Sequence, residues 1–219
     1  MTQPAGREEL ATDIIQHARA LSDRGLGVGT SGNISARFGD GFLITPSGVP
    51  YPVLAPSGIV FVGMDGSAEG GNPSSEWRFH LDIYAARPDV SAIVHAHSPH
   101  ATALASLRRD IPAFHYMVAV AGGHDIRCAA YATFGTQALS DAATEALRDR
   151  RACLLANHGQ ISTGTTVEAA FSLAREVEEL SRQYTIALQA GEPVVLDRQE
   201  MDIILEKFRT YGQQHDGGA

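Results

Sequence analysis

The sequence predicts an α+β fold: a single domain with a central, mainly antiparallel β-sheet flanked by helices. Three observations carry that expectation. Residues 34–44 (ISARFGDGFLI) read as a hairpin turned at Gly39-Asp40-Gly41, which makes antiparallel neighbours. The other strand-like runs are interrupted by loops and helices without strict β-α alternation, so a purely parallel sheet is disfavoured. Finally, 219 residues with 44% hydrophobic and 19% charged side chains suit one soluble unit with a substantial core. The domain is expected to span residues 1–219, with 213–219 a disordered tail.

Composition also narrows the partners. A net charge of -8 with no basic run argues against a nucleic-acid surface, although an anionic ligand needs only local donors. The start, MTQPAGREEL, lacks a basic segment followed by an apolar one, and no window approaches the roughly 18 apolar residues of a membrane span. A cytoplasmic protein with no membrane partner is expected. Cys128 and Cys153 are the only cysteines and lie beside apolar neighbours, which predicts reduced, buried thiols.

Taken in order, residues 8–24 place Leu10, Ile14, Ala18 and Leu21 at helical spacing before the stop Gly25. The loop 25–33 (GLGVGTSGN) superficially matches a dinucleotide fingerprint, but a helix precedes it and a strand follows, the reverse of what that fingerprint requires. It remains either a flexible turn or a place where backbone amides approach a ligand beside Thr30, Ser31 and Asn33. After the hairpin, Thr45-Pro46-Ser47-Gly48 breaks the strand, and residues 59–64 form another. Residues 73–86 read as a helix capped by Ser74 or Ser75, with Trp77, Leu81 and Tyr84 on one face. Ala92, Ile93 and Val94 lead a strand into His95 and His97. A short helical run then reaches Arg108, a helix is expected over 137–150, a buried strand over 152–156, and helices over 167–190 and 197–210.

The chemistry concentrates in residues 73–100. Side chains two apart on a strand share a face, so His95 and His97 could meet one ion, or could be hydrogen-bonded strand-end histidines. Glu76 could simply complement the helix dipole, yet the same turn offers two hydroxyls and free amides of the kind that bind phosphate. His158, at the end of the 152–156 strand with Gly159 after it, is a third candidate ligand.

The segments GTSGN (29–33), LITPSG (43–48), PSSEWRFH (73–80), HAHSPH (95–100), IPAFHYM (111–117), YATFGT (131–136), NHG (157–159) and LEKFRTYG (205–212) are collinear and span nearly the whole chain. Together they resemble the class II aldolase family that includes L-fuculose-1-phosphate aldolases, L-ribulose-5-phosphate 4-epimerase and the adducin heads. The resemblance implies a zinc ion, one per subunit, or another divalent transition metal, held by His95, His97 and His158 with Glu76 as fourth ligand and acid/base. It implies substrate phosphate at Gly32, Asn33, Ser47, Gly48, Ser74 and Ser75, a proton-donating Tyr116, and Phe134 and Tyr211 lining or covering the pocket. A homotetramer with active sites between subunits is implied too. The expected reaction is reversible cleavage of L-fuculose 1-phosphate, or a related ketose 1-phosphate, to dihydroxyacetone phosphate and L-lactaldehyde or a similar aldehyde.

Three alternatives accompany it. A 5-deoxypentulose-1-phosphate aldolase would keep every residue named. The 4-epimerase of the family uses an aspartate just after the position matching His115, and residues 115–123 contain no carboxylate, which favours the aldolase. A non-catalytic, adducin-like interaction module would be expected to lose ligands, and all four are present. Asn157, Gln160 and Ser98-Pro99 depart from the fuculose pattern close to the ligands, leaving the aldehyde preference open. His100, His115 and His124 are expected to be structural or supporting histidines.

Overall fold

The computed structural model describes residues 6–210. Helix α1 (Arg7–Asp23) precedes the antiparallel strands β1 (Asn33–Phe38), β2 (Gly41–Ile44), β3 (Val60–Gly63) and the short β4 (Ala68–Glu69). Then come α2 (Trp77–Ala86), β5 (Ala92–Ala96), α3 (Pro99–Ser106), β6 (Cys128–Ala129), α4 (Gln137–Ala146), β7 (Ala152–Leu155), β8 (Gly159–Gly164), α5 (Val167–Ala190) and α6 (Arg198–Thr210). The strands form one sheet in the order β4-β3-β2-β1-β5-β8-β7-β6, antiparallel throughout except between β6 and β7. The α+β, mainly antiparallel expectation is met, with helices on both faces.

Strand alternation sorts the core. Ile34, Ala36, Leu43, Val94 and Ala96 pack on one face against Ile14, Leu21, Phe171 and Ala174 of α1 and α5. Phe42, Ile44, Ile93, Cys153 and Ile161 pack on the other against Phe79, Ile83, Tyr84 and Leu139 of α2 and α4. His95 shares the α2 face with Ile93, two residues before it on the strand, and its ring sits 5.5 Å from that of Phe79. A third cluster fixes α6: Met201 and Ile204 pack with Leu104, Val118, Leu154 and Leu180.

Several elements differ from the sequence expectation. The helix expected from residue 73 starts at Trp77, and neither serine caps it; its N-cap residue is Glu76. The preceding residues are held in extended form, because Ser74 N–H donates to the Thr45 carbonyl (3.0 Å) and Ser47 N–H to that of Asn72 (3.1 Å). β8 was not foreseen: GQISTG carries one large apolar residue, yet all six positions are buried between β5 and β7. Polar side chains there bond inside the protein, so burial left no apolar pattern to read. Cys153 is buried as expected, whereas Cys128 is only half-buried, and no disulfide joins them. Among the described residues, no helix is long and apolar enough to cross a membrane.

Candidate active site

Four side chains converge from three parts of the sheet. His95 and His97 leave the end of β5, His158 sits in the tight turn joining β7 to β8, and Glu76 stands at the start of α2. One ligand atom of each lies within 4.8 Å of all the others. The turn carrying His158 is closed by its N–H donating to the Leu155 carbonyl (3.0 Å), with Asn157 at φ 55°, a left-handed conformation that asparagine tolerates. Two glycines let the backbones meet: a Cβ on Gly32 would stand 2.7 Å from the His95 carbonyl oxygen, and one on Gly159 2.5 Å from that of Ala96.

The three imidazoles form a near-symmetric propeller, with centroids 4.8 Å apart pairwise and planes at 73–76°. His95 Nε2 lies 3.0 Å from His97 Nε2 and 3.2 Å from Glu76 Oε2, and His158 Nε2 lies 3.3 Å from Glu76 Oε1. His95 Nδ1 is 2.9 Å from the Gln160 carbonyl and must donate to it, which turns the lone pair of Nε2 inward. Burial raises the Glu76 carboxyl, but the charge and hydrogen bond of His95, then the charges of His158 and His97, outweigh it and hold the group at about 2. His95 is opposed by its burial and raised on balance by Glu76. Burial, then the charge of His95, pushes His97 and His158 down to about 4. Amid these three nitrogens, Glu76 Oε1 is buried without a hydrogen-bond partner. An orphaned anionic oxygen facing imidazole nitrogens fits a divalent cation bound by three His and one carboxylate.

Glu76, His97 and His158 open onto a cavity of about 490 Å³. Its walls include Gly32, Asn33, Ser47, Gly48, Ser74, Ser75 and Phe134, so the positions expected around a phosphate and the pocket aromatic share one space with the cluster. Asn33 differs in one respect from its expected role. Its side chain is buried, donating from Nδ2 to Glu76 Oε2 (3.1 Å) and accepting at Oδ1 from His80, so only its main chain is left for a phosphate. Tyr116 is not in this cavity. It is half-exposed and lines a separate apolar one with Phe114, Met117, Leu196, Ile204 and Phe208. Tyr211 and the tail 213–219 lie outside the described residues.

The other histidines have structural partners. His100 Nδ1 meets Glu178 (2.8 Å), whose carboxylate also accepts the His100 and Ala101 N–H groups, His124 meets Asp202 (2.7 Å), and His115 Nδ1 accepts the Met117 N–H. Sequence reasoning missed His80, which is fully buried behind Asn33 and pushed down to about 3 by burial and then the charge of His95. Gln160 and Ser98, singled out in the sequence as departures close to the ligands, bond to each other: Gln160 Nε2 donates to Ser98 Oγ (2.7 Å) and to the Ala174 carbonyl (3.1 Å). A buried His inside an amphipathic helix leaves no signature of its own; only its i, i+4 spacing from Glu76 pointed toward the site.

Comparison with known proteins agrees with this arrangement. Residues 12–185 match the family model described as "Class II Aldolase and Adducin N-terminal domain". The chain is 56% identical over 210 residues to a 5-methylthioribulose-1-phosphate/5-deoxyribulose-1-phosphate aldolase of Rhodospirillum rubrum, covering 95% of each chain. It is 50% identical over 208 residues to the L-fuculose phosphate aldolase of Escherichia coli, covering 94% of this chain and 97% of that one. A solved L-fuculose 1-phosphate aldolase superposes with a TM-score of 0.90 at 42% identity, over 94% of this chain and 98% of the other. The chain belongs to the class II aldolase and adducin N-terminal domain family and is an aldolase of the carbon–carbon lyase class.

Proposed function

We propose that the protein cleaves a ketose 1-phosphate reversibly to dihydroxyacetone phosphate and a small aldehyde, using one zinc ion per subunit. The observation that carries this is the unpartnered Glu76 Oε1, buried among three imidazoles on a residue that lines the cavity walled by Gly32, Ser47, Gly48, Ser74 and Ser75. His95, His97 and His158 would hold the ion, with Glu76 as fourth ligand before substrate enters. Bound there, a divalent cation supplies positive charge to polarise the C2 carbonyl and to offset the negative charge that cleavage of C3–C4 leaves on the ketone fragment.

The chain's own groups do the rest. The amides and hydroxyls of the glycine and serine loops hold the phosphate, with the main chain of Asn33 among them, and so fix the ketone half in place. Glu76 moves the proton at the carbon that becomes the hydroxymethyl group of dihydroxyacetone phosphate. Tyr116 donates at the departing aldehyde oxygen; because it lies in a second cavity of its own chain, it would serve the site of a neighbouring subunit in a homotetramer. Phe134 and Tyr211 line or cover the aldehyde side.

Three aldehydes have specific support. L-Lactaldehyde follows from L-fuculose 1-phosphate, as the name of the Escherichia coli relative implies. Acetaldehyde or a methylthio analogue follows from the 5-deoxy and 5-methylthio substrates named for the Rhodospirillum rubrum relative. The test incubates metal-loaded protein with dihydroxyacetone phosphate and L-lactaldehyde, glycolaldehyde, acetaldehyde or methylthioacetaldehyde, then identifies the sugar phosphates formed. Formation of none, by protein that contains a divalent metal, refutes the proposal.

A further inference from the structure

Behind Glu76 runs a chain of side chains that leads away from the cavity into the core. Asn33 Nδ2 lies 3.1 Å from Glu76 Oε2, Asn33 Oδ1 2.5 Å from His80 Nε2, His80 Nδ1 2.7 Å from Ser35 Oγ, and Ser35 Oγ 2.8 Å from the Tyr84 hydroxyl. None of the five residues is more than 7% exposed. The His80 ring is stacked near those of Phe79 and Phe42, with centroids 4.6 and 6.3 Å away, which excludes water from its faces. β1 supplies Asn33 and Ser35 from one face two residues apart, and α2 supplies Glu76, His80 and Tyr84 at intervals of four.

The direction of every hydrogen bond follows from one end. An ionised carboxylate only accepts, so the amide of Asn33 must present its NH2 to Glu76 and its oxygen to His80. An accepting oxygen requires the N–H of His80 on Nε2, which leaves Nδ1 as acceptor in the neutral ring. Ser35 must then donate to Nδ1, and its remaining lone pairs receive the Tyr84 hydroxyl hydrogen. The alternative polarity would set the Asn33 carbonyl against a buried carboxylate, two acceptors without a hydrogen between them.

We propose that this chain makes Asn33 and His80 positioning residues for Glu76, anchoring Oε2 so that Oε1 is the oxygen that carries the proton in turnover. Each oxygen faces an imidazole, Oε2 that of His95 and Oε1 that of His158, but only Oε2 accepts a hydrogen bond, from the Asn33 N–H, whereas Oε1 has no hydrogen-bond partner. In the exchange direction a lone pair of Oε1 takes a proton from the hydroxymethyl carbon of dihydroxyacetone phosphate. The C–H bonding pair stays on the ketone fragment, the new O–H exchanges its hydrogen with solvent, and that O–H or O–D then reprotonates the carbon. Without the anchor, the carboxylate could rotate when it leaves the imidazoles, and the lone pair would no longer be aimed.

The inference rests on the aldolase proposal for the role of Oε1, but the polarity of the chain is testable without it. Long-range nitrogen–proton spectra of 15N-histidine protein, metal-free and zinc-loaded, are expected to show His80 as the neutral Nε2–H tautomer in both. A Nδ1–H tautomer overturns the proposal. For function, deuterium exchange into dihydroxyacetone phosphate is measured on metal-loaded His80→Leu, which removes the donor, and His80→Gln, whose amide N–H can still reach Asn33. The expected result is a loss of at least about tenfold in kcat for His80→Leu with KM and metal content unchanged, and recovery to within about threefold of wild type in His80→Gln. Wild-type kcat in His80→Leu, or equal losses in both variants, overturns the positioning role. No exchange by the wild-type protein overturns the aldolase proposal instead, and the tautomer then decides the chain by itself.

Discussion

Replacing Gln160 by leucine tests how the ligand strand is supported. Gln160 is fully buried in β8; its Nε2 donates to Ser98 Oγ at 2.7 Å and to the Ala174 carbonyl at 3.1 Å, while its Oε1 accepts from Ser162 at a longer 3.3 Å. Leucine removes two good hydrogen bonds, each worth about 1 kcal/mol net. It also leaves the buried Ser98 hydroxyl unpaired, at about 1–3 kcal/mol. The Ala174 carbonyl lies within α5 and keeps its helical partner, so it adds little. The total is a loss of about 3–5 kcal/mol. Ser98→Ala alone should cost less, about 1–2 kcal/mol, because it strands one amide hydrogen. The double variant, with both partners gone, should be more stable than the sum of the singles by about 1–2 kcal/mol. Urea denaturation of metal-free protein at one fixed protein concentration reads these differences. Because the bond from His95 Nδ1 goes to the main-chain oxygen of residue 160, zinc content per chain should stay at the wild-type value. A loss below about 0.5 kcal/mol for Gln160→Leu, or strict additivity in the double variant, would refute this account.

Other expectations are as specific. Glu76→Gln should retain metal through three imidazoles yet lose about 10²–10⁴-fold in proton exchange at dihydroxyacetone phosphate, the usual contribution of a positioned acid/base; undiminished exchange removes that role. Gly159→Ala would press a Cβ to 2.5 Å from the Ala96 oxygen and 3.0 Å from His97 Cδ2, so zinc affinity by competitive chelation should fall about tenfold or more. His17, opposed by burial but raised on balance by Glu168 and Asp13, holds its proton more tightly folded than unfolded. Its contribution is therefore complete below the unfolded value near 6.5 and lost as pH rises through the higher folded value. The stability gap between wild type and His17→Gln should narrow between pH 6 and 9, from about 1 kcal/mol at most, since both carboxylates are largely exposed.

Those residues also mark where sequence reasoning succeeds and where it stops. The hairpin, the helices and the strand carrying His95 and His97 follow from periodicity, because one face of each is apolar. The ligand set was legible only in part: His-x-His and the glycine after His158 suggested a metal site, and collinear motifs supplied Glu76. β8 was invisible because Gln160, Ser162 and Thr163 find partners inside the core, leaving a polar run that looks like a loop. The exposed Tyr116 and Phe134 were named through motifs, and nothing local to them says that one lines the ligand cavity and the other does not.

The four candidate ligands are not equivalent mechanically, and the difference bears on how the site could work. His95 is tied at Nδ1 to β8, His97 follows it off the same central strand, and His158 is locked in the closed turn between β7 and β8. His95 lies in a paired strand, and His97 and His158 sit directly at strand ends, so the backbone that carries all three is fixed by the sheet. Glu76 instead is the N-cap residue of α2, and among the described residues its carboxylate meets side chains, Asn33, His95 and His158. Its carboxylate can therefore swing away from the imidazoles about the Asn33 contact at Oε2 while the sheet stays fixed. A rigid triad with one movable carboxylate suits an acid/base that must yield its place to an incoming substrate oxygen. In the same arrangement Glu76, 3.2 Å from His95 Nε2, raises that imidazole against the effect of its burial, an attraction that acts before any cation arrives. Removing Glu76 should accordingly loosen the metal-free cluster more than the metal-loaded one, since the cation takes over the carboxylate's electrostatic work.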